Sequence, residues 1–493
     1  MDPTTHPIDA GNEGIRRLQA EVSQIRARFS GPLQQNCPIV LVPGFSGWGR
    51  PLLGTVNYFG GFEDLPLILS QLGYIVIVVR IGPISTNRER ACEIFAQLTN
   101  PGGFDLPGAL PVTFIPVNFG TGLPAPNPGL VAAAQTLQAV VYDSPGNRLP
   151  ATWQWGPSNR VNFICHSQGG TTIRYLIELL SGTSDPTLPQ FLGTDRQPWV
   201  KSVVTLGTPH KGTTVTEVVN DLLPPGGLDP LIDFITSCSF ESRSDRIYDL
   251  HLDHWGFFRT PGQTYQAMRA LIAPTVNTWW NSRFNGLYDN SIRGIRDLDG
   301  FAPRPSRHIY YFTMSFCATR PFPKDTLTAQ DINGFLALFP LNGLWNPLGA
   351  WGYAAAPFQP PLTWLGILPS LYAALTWITN MANRHLQGMG YFSQVPLPGT
   401  EIPRPDVLPL IMYPAYAMGG RRTVFPGIPL QESQRNDGIV NTLSMDGPST
   451  GRVNYRNFAT APTVGRGIYW NLGTNTTIDH ADQIGVFTDS TTV

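Results

Sequence analysis

The chain is short of charge. Only 14% of its 493 residues are Asp, Glu, Lys or Arg, and the two signs cancel to a net −1; ordinary globular proteins carry roughly 25%. No field of one sign is there to draw in nucleic acid or an anionic membrane. Cysteine is scarce as well. Cys37, Cys92, Cys165, Cys238 and Cys317 lie far apart with no CxxC pair, which excludes a disulfide framework and a zinc ribbon and leaves a single bridge open. A membrane span needs about 20 uninterrupted apolar residues. The nearest approach, residues 362–382, is broken by Pro369, Asn380 and several threonines, so no span is expected. The opening stretch MDPTTHPIDAGNEG has no apolar core of a signal peptide, and no export leader is expected from it. There is no internal repeat. What the chain has in quantity is glycine (50) and proline (47), the residues of turns and loops.

The length suits one large α/β domain with insertions, or two domains. Residues 11–29 place Ile15, Leu18, Val22, Ile25 and Phe29 at spacings of three and four, an amphipathic helix expected to pack on the body. Five apolar runs follow: PIVLVPG (38–44), IVIVVRI (75–81), VNFIC (161–165), VKSVVTLG (200–207) and IYYFTMSF (309–316). They do not alternate. Strands buried on both faces of a parallel sheet have this pattern, and the helical stretches between them favour a doubly wound α/β sheet. From Ile332 to Asn383 there is neither a charged residue nor a histidine, and tryptophan and proline recur. This segment reads as a buried insertion or as a cap that lines an apolar pocket or meets a lipid surface.

Chemistry enters at FICHSQGGTTIRY, residues 163–175. An apolar strand stops at Ser167 and a helix begins. The serine occupies the nucleophile position of a G-x-S-x-G elbow, with Gly169 as the second glycine and Cys165 in place of the first. A hydroxyl nucleophile needs a base, and the base an orienting acid, in the chain order Ser, Asp or Glu, His. The chain has eight histidines. His166 adjoins the serine and is expected to point away from it. His480, in TIDHADQIG, comes late and just after the apolar run GIYWNLG, where such a loop belongs; read alone it is equally a satisfied structural histidine. Asp437, in QRNDGIVNTLSM, sits among turn formers and serves either as the acid or as a local cap.

These blocks resemble the large lipases of thermophilic bacilli and staphylococci. PIVLVPGFSGWGR (38–50), RACEIFAQL (90–98), CHSQGG (165–170), TLGTPHKGTT (205–214), YDLHLDHWG (248–256), NDGIVNTLSMDGP (436–448) and DHADQIGV (479–486) recur in that family's order. The resemblance implies an α/β-hydrolase fold: a mostly parallel sheet with helices on both faces, an N-terminal helical extension over 1–36, and a hydrolase domain over 37–493. That domain carries a lid-like segment at 213–240 and an apolar insertion at about 320–430. It implies a triad of Ser167, Asp437 and His480, and an oxyanion hole from the backbone N–H groups of Phe45 and Gln168. Pro43 stands where the family usually has histidine.

The same resemblance carries two metal sites that this chain matches poorly. The family's zinc would meet Glu89 and Asp253, but no histidine lies between Glu89 and Cys165 to complete a four-coordinate set. A calcium ion would meet Asp482, yet the next expected carboxylate is Phe487, so calcium stays open. No cofactor is required by the expected chemistry. The expected function is hydrolysis of long-chain acyl esters at a lipid–water interface. The alternatives are a carboxylesterase of short or polymeric esters, a lipid acyltransferase, and a lipid-binding protein without activity.

Overall fold

In a computed structural model of the chain, the described residues are 13–28, 37–51, 56–61, 63–100, 104–105, 138–182, 188–222, 228–229, 232–233, 235–236, 250, 260, 262–322, 399–404, 407, 409–423, 425–449, 455–458 and 463–485. The apolar segment 332–383, residues 223–227 of the lid-like segment and Asp253 fall outside them.

Nine strands form one sheet. In chain order they are β1 (Ile39–Val42), β2 (Val76–Val78), β3 (Phe104–Asp105), β4 (Ala139–Tyr142), β5 (Val161–His166), β6 (Val200–Leu206), β7 (Tyr310–Phe316), β10 (Tyr455–Asn457) and β11 (Tyr469–Asn475). Two more, β8 (Thr319–Pro321) and β9 (Glu401–Pro403), pair with each other in a separate antiparallel ribbon. Across the large sheet the order is β10, β11, β7, β6, β5, β1, β2, β4, β3. Every pairing in it is parallel except β2 with β4. The described helices are α1 (Glu13–Arg28), α2 (Leu65–Gln71), α3 (Asn87–Thr99), α4 (Gln168–Leu179), α5 (Val215–Leu222), α6 (Tyr265–Trp280), α7 (Gly286–Asn290), α8 (Ile292–Phe301), α9 (Pro409–Gly419) and α10 (Leu430–Gln434). The fold is that of the α/β-hydrolases.

The unbroken apolar strands follow from burial on two sides. Val40 and Val42 of β1, Ile77 of β2 and Phe163 of β5 pack with Ala91, Cys92 and Ile94 of α3 and Ile173 and Leu176 of α4. Their sequence neighbours Leu41, Val76, Val78 and Ile164 turn to the other face, against Tyr58, Phe59, Leu65, Leu69 and Ile484. Both phases of each strand are therefore apolar, and the two-residue period disappears. The run at 75–81 contributes only Val76–Val78 as strand. GIYWNLG, read from sequence as an apolar run, contains the start of β11.

The N-terminal helix packs on the sheet's far edge. Leu18 joins Phe458, Trp470 and Leu472, while the Arg17 guanidinium donates to the Phe458 carbonyl and lies 5.0 Å over its ring. The β8–β9 ribbon brackets the long insertion in sequence. The β8–β9 ribbon pairs Thr319 with Pro403, and the Phe322 and Gly399 amides extend the ladder at 2.7 and 2.9 Å. The base of this ribbon touches the segment that carries Asp437: the Ala318 N–H donates to the Asn436 carbonyl at 2.8 Å.

Candidate active site

The chain winds outward from β1 in both directions, so β1 and β5 flank the point where strand order reverses, and crevices form at the carboxyl ends of such strands. Val42 pairs with Cys165. The loop after β1 and the turn after β5 therefore leave the sheet at the same height, carrying Phe45 and Ser167 to one place.

Ser167 has φ 54° and ψ −128°. Only one other described non-glycine residue, Ser46 in the facing loop, has positive φ (55°). Such backbone costs a side-chain-bearing residue about 1–3 kcal/mol and persists only where the surroundings enforce it. Here the Ser167 N–H donates to the Leu206 carbonyl at 2.9 Å, and Thr208 Oγ1 donates to the Ser167 carbonyl at 2.8 Å. Gly169 is required by contact: a Cβ there would sit 2.5 Å from the Val42 carbonyl oxygen. Gly44 meets the same demand from the opposite side, where a Cβ would lie 2.7 Å from that of Ser167. Cys165 is fully buried in the core, and burial pushes its thiol well above the ordinary range. It fills the first glycine position of the elbow as a small apolar residue.

The loop after β1 is held by a buried arginine. Arg90, wholly buried, donates from Nη1 to the Gly44 carbonyl at 3.0 Å and from Nη2 to that of Pro43. Among the described residues all peptides are trans, so a carbonyl and the next N–H point in opposite directions. Clamping the Gly44 carbonyl inward thus turns the Phe45 N–H away from Arg90. Gln168 is the first residue of α4, where a helix leaves its N–H without an internal acceptor and the dipole is positive. Arg90 itself rides on α3, whose start is fixed by a capping box: Thr86 Oγ1 accepts the Glu89 N–H at 3.2 Å and Glu89 Oε2 accepts the Thr86 N–H at 2.9 Å.

Asp437 is fully buried and His480 is 8% exposed. The two carboxylate oxygens of Asp437 serve different partners. Its Oδ1 accepts the N–H groups of Ile439 (3.0 Å) and Val440 (2.8 Å), closing a local turn. Its Oδ2 lies 2.7 Å from His480 Nδ1 and accepts Gln483 Nε2–H, also at 2.7 Å. The backbone ties the same pair, His480 N–H donating to the Asp437 carbonyl at 3.0 Å. Four donors fix the carboxylate, so it holds the ring in one orientation. His480 in turn sits against the elbow: its carbonyl is 3.1 Å from His166 Nε2, and the two rings are 4.5 Å apart.

His166, expected to point away from the serine, meets Tyr58 and the His480 backbone. As the last residue of β5 its side chain faces the Ile484 side of the sheet, where the His480 loop passes. The TPHKGTT block also has a task that composition did not reveal. The His210 N–H donates to the Ser444 carbonyl at 2.9 Å, Lys211 Nζ reaches Asp446 at 2.6 Å, and Thr213 Oγ1 donates to the Ile439 carbonyl at 2.6 Å. The block clamps the loop after Asp437 onto the end of β6.

The lid-like segment starts as an anchored piece. Thr214 N–H donates to Asn441 Oδ1 at 2.8 Å, and Glu217 of α5 accepts Thr423 Oγ1–H at 2.7 Å. Further along the chain, Ile232 and Ile235 join Ile84, Met268, Ile272, Val276 and Trp279 in an apolar cluster against which Phe45 and Leu228 pack. Arg269 of α6 holds that piece through Asp229 and Asp233, each at 2.6 Å.

Of the metal candidates, Glu89 and Asp482 lie among the described residues and Asp253 does not. Glu89 spends Oε2 on the capping box, and Asp482 Oδ2 accepts the Asp479 N–H at 3.0 Å in a local turn. Among the described residues no group of three or more His, Cys, Asp or Glu is arranged to hold an ion. No step below is routed through a metal. No described helix is long and apolar enough to cross a membrane.

With this geometry established, three comparisons bear on kinship. A family model described as "Lipase-like, C-terminal domain" matches residues 149–343. Lipase 1 of Staphylococcus aureus is 26% identical over 341 residues, covering 66% of this chain and 45% of that protein. The chain is similar in sequence to staphylococcal lipases. It spans about half the length of the relatives it matches. Among solved structures, EstA from Clostridium botulinum superposes with a TM-score of 0.57 at 24% identity, covering 92% of this chain and 84% of that one. Staphylococcus hyicus lipase gives 0.56 at 20%, covering 93% and 91%. At that identity the likeness concerns the fold.

Proposed function

We propose that the chain is a serine ester hydrolase acting on long-chain acyl esters of the triacylglycerol type, with Ser167 as nucleophile, His480 as general base and Asp437 as the orienting acid. The observation that carries this reading is the buried 2.7 Å contact between His480 and Asp437, set beside a serine held at positive φ where a strand becomes a helix. Attack on the ester carbonyl transfers the Ser167 proton to His480. The imidazolium that forms is stabilised by Asp437 and then protonates the departing alcohol. Water, activated by His480, releases the acid from the acyl-enzyme. The N–H groups of Phe45 and Gln168 are assigned to the tetrahedral oxygen; removing one such donor typically costs about 3 kcal/mol of transition-state stabilisation. The apolar cluster against Phe45 supplies a dry wall beside the reacting carbon, which suits an acyl chain better than a polar group.

An active-site organophosphonate should label the protein once, and Ser167→Ala should abolish both labelling and turnover. Retained labelling in that variant would refute the site. Rates on a panel of esters, in solution and in emulsion, test the substrate. Activity confined to short soluble esters would make the protein a carboxylesterase, and ester products formed in added alcohol would make it an acyltransferase.

A further inference from the structure

A buried chain of hydrogen bonds joins the two loops that the proposed reaction must keep in register. The Gly44 N–H donates to the Tyr58 hydroxyl oxygen at 2.9 Å. That hydroxyl is 2.7 Å from His166 Nδ1, and His166 Nε2 is 3.1 Å from the His480 carbonyl oxygen. The two ends fix every proton between them. An amide N–H only donates, so the Tyr58 oxygen accepts there and gives its own proton to Nδ1. A carbonyl only accepts, so the imidazole carries its proton on Nε2. All participants are buried, where an unmatched donor or acceptor is costly. Burial and the neighbouring His480 hold His166 well below the ordinary histidine range, and burial lifts the Tyr58 hydroxyl above its own. Both therefore stay neutral, as this arrangement requires.

Gly44 is the residue whose carbonyl Arg90 clamps, so Tyr58 and Arg90 grip it from its two polar atoms. One holds the N–H of the Pro43–Gly44 peptide and the other the carbonyl of the Gly44–Phe45 peptide, so between them they fix the Gly44 backbone that leads to the Phe45 N–H. The far end of the chain of bonds meets His480 at its backbone, just where the ring is hung toward Asp437.

We propose that Tyr58 and His166 act together as positioning residues, a strut that fixes the spacing between the oxyanion loop and the base His480. The inference rests on the hydrolase reading above. A strut of this kind acts on the transition state more than on substrate binding, so its loss falls on kcat. Misplacement by about 1 Å can cost on the order of 100-fold in rate.

The test uses Tyr58→Phe, His166→Gln, His166→Ala and the double variant Tyr58→Phe/His166→Gln in the full chain. For each, kcat is measured per active site titrated with the organophosphonate, together with KM on a soluble ester and the thermal midpoint. Tyr58→Phe removes one oxygen and keeps the ring, and should lower kcat roughly 10- to 100-fold with little change in KM. His166→Gln, which can still donate toward the His480 carbonyl, should retain more activity than His166→Ala. The double variant should be no worse than the poorer single, because the strut is already broken. Parental kcat in Tyr58→Phe with only a lower midpoint, or losses that multiply in the double variant, would overturn the strut. If His166→Ala does not fold, Tyr58→Phe and the double variant still decide. Activity surviving in Ser167→Ala would sink the hydrolase reading itself, a separate outcome.

Discussion

Asp437 is where one side chain answers two needs. Its Oδ1 closes the turn to Ile439 and Val440, and its Oδ2 faces His480 and Gln483. Asp437→Asn separates them. The amide oxygen can keep the two backbone N–H groups, so the turn survives, while the amide nitrogen presents a proton to Nδ1 and forces the imidazole into the wrong tautomer. The expected result is a fall in kcat of roughly 10,000-fold with a thermal midpoint close to the parent's. Steady-state kinetics beside a melting curve checks it, and parental kcat would remove Asp437 from the machinery. Gln483, in the short 3-10 turn Asp482–Ile484, reaches the same oxygen from three residues beyond His480. Nothing in DHADQIG announces that contact. The partners of His166 are hidden for a related reason: sequence gives the alternation of a strand but not which face the last residue meets once its partner loop folds over.

The helices and strands differ in how openly the sequence displays them. Strands β1, β5, β6 and β7 show as long apolar runs because both their faces are buried, and the elbow shows because a strand, a serine and a helix follow one another without a spacer. The two-residue β3 and three-residue β10 are too short to leave a pattern. Strand β11 mixes Asn471, Gly473 and Thr474 among its apolar residues, and β4 has a single fully buried position, Ala139. Helix α3 is the element whose local chemistry bears most directly on the site, since its cap places Arg90 under the oxyanion loop. Thr86→Ala should cost about 1 kcal/mol of stability, read as a lowered thermal midpoint. It should also reduce kcat, because the guanidinium that orients the Gly44 carbonyl rides on the first turn. Thr86→Ser keeps the cap oxygen and should restore both. A midpoint that falls while kcat per titrated site stays parental would uncouple the cap from the loop.

For the molecule as a whole, two kinds of buried ionisable group set opposing pH slopes, and their sum decides where the fold is most stable. His210 is wholly buried against Tyr469, with Thr205 Oγ1 3.1 Å from Nε2. Burial and then the nearby Arg174 and Lys211 hold it well below the usual histidine range, and His166 is held down likewise. A depressed histidine leaves the folded state neutral while the unfolded chain takes up a proton. Its contribution is whole above the unfolded value, about 6.5, and is lost as pH falls below it. Asp289 works the other way. It accepts the Asn87 N–H at the start of α3, and burial pushes it up to about 7. The folded state prefers the protonated acid, so this contribution is whole below the unfolded value of about 3.9 and is lost as pH rises to 7. Thermal midpoints measured from pH 4 to pH 9 should therefore respond to two substitutions in opposite limbs. His210→Gln, with an amide in reach of Thr205, should flatten the decline below pH 6.5 relative to the parent. Asp289→Asn keeps an oxygen for Asn87 and cannot ionise, so it should gain on the parent above pH 7 by about 3 °C or more and show no gain at pH 4. A gain for Asp289→Asn that is equal at pH 4 and pH 9 would mean that packing, and not the charge, is what the substitution relieves.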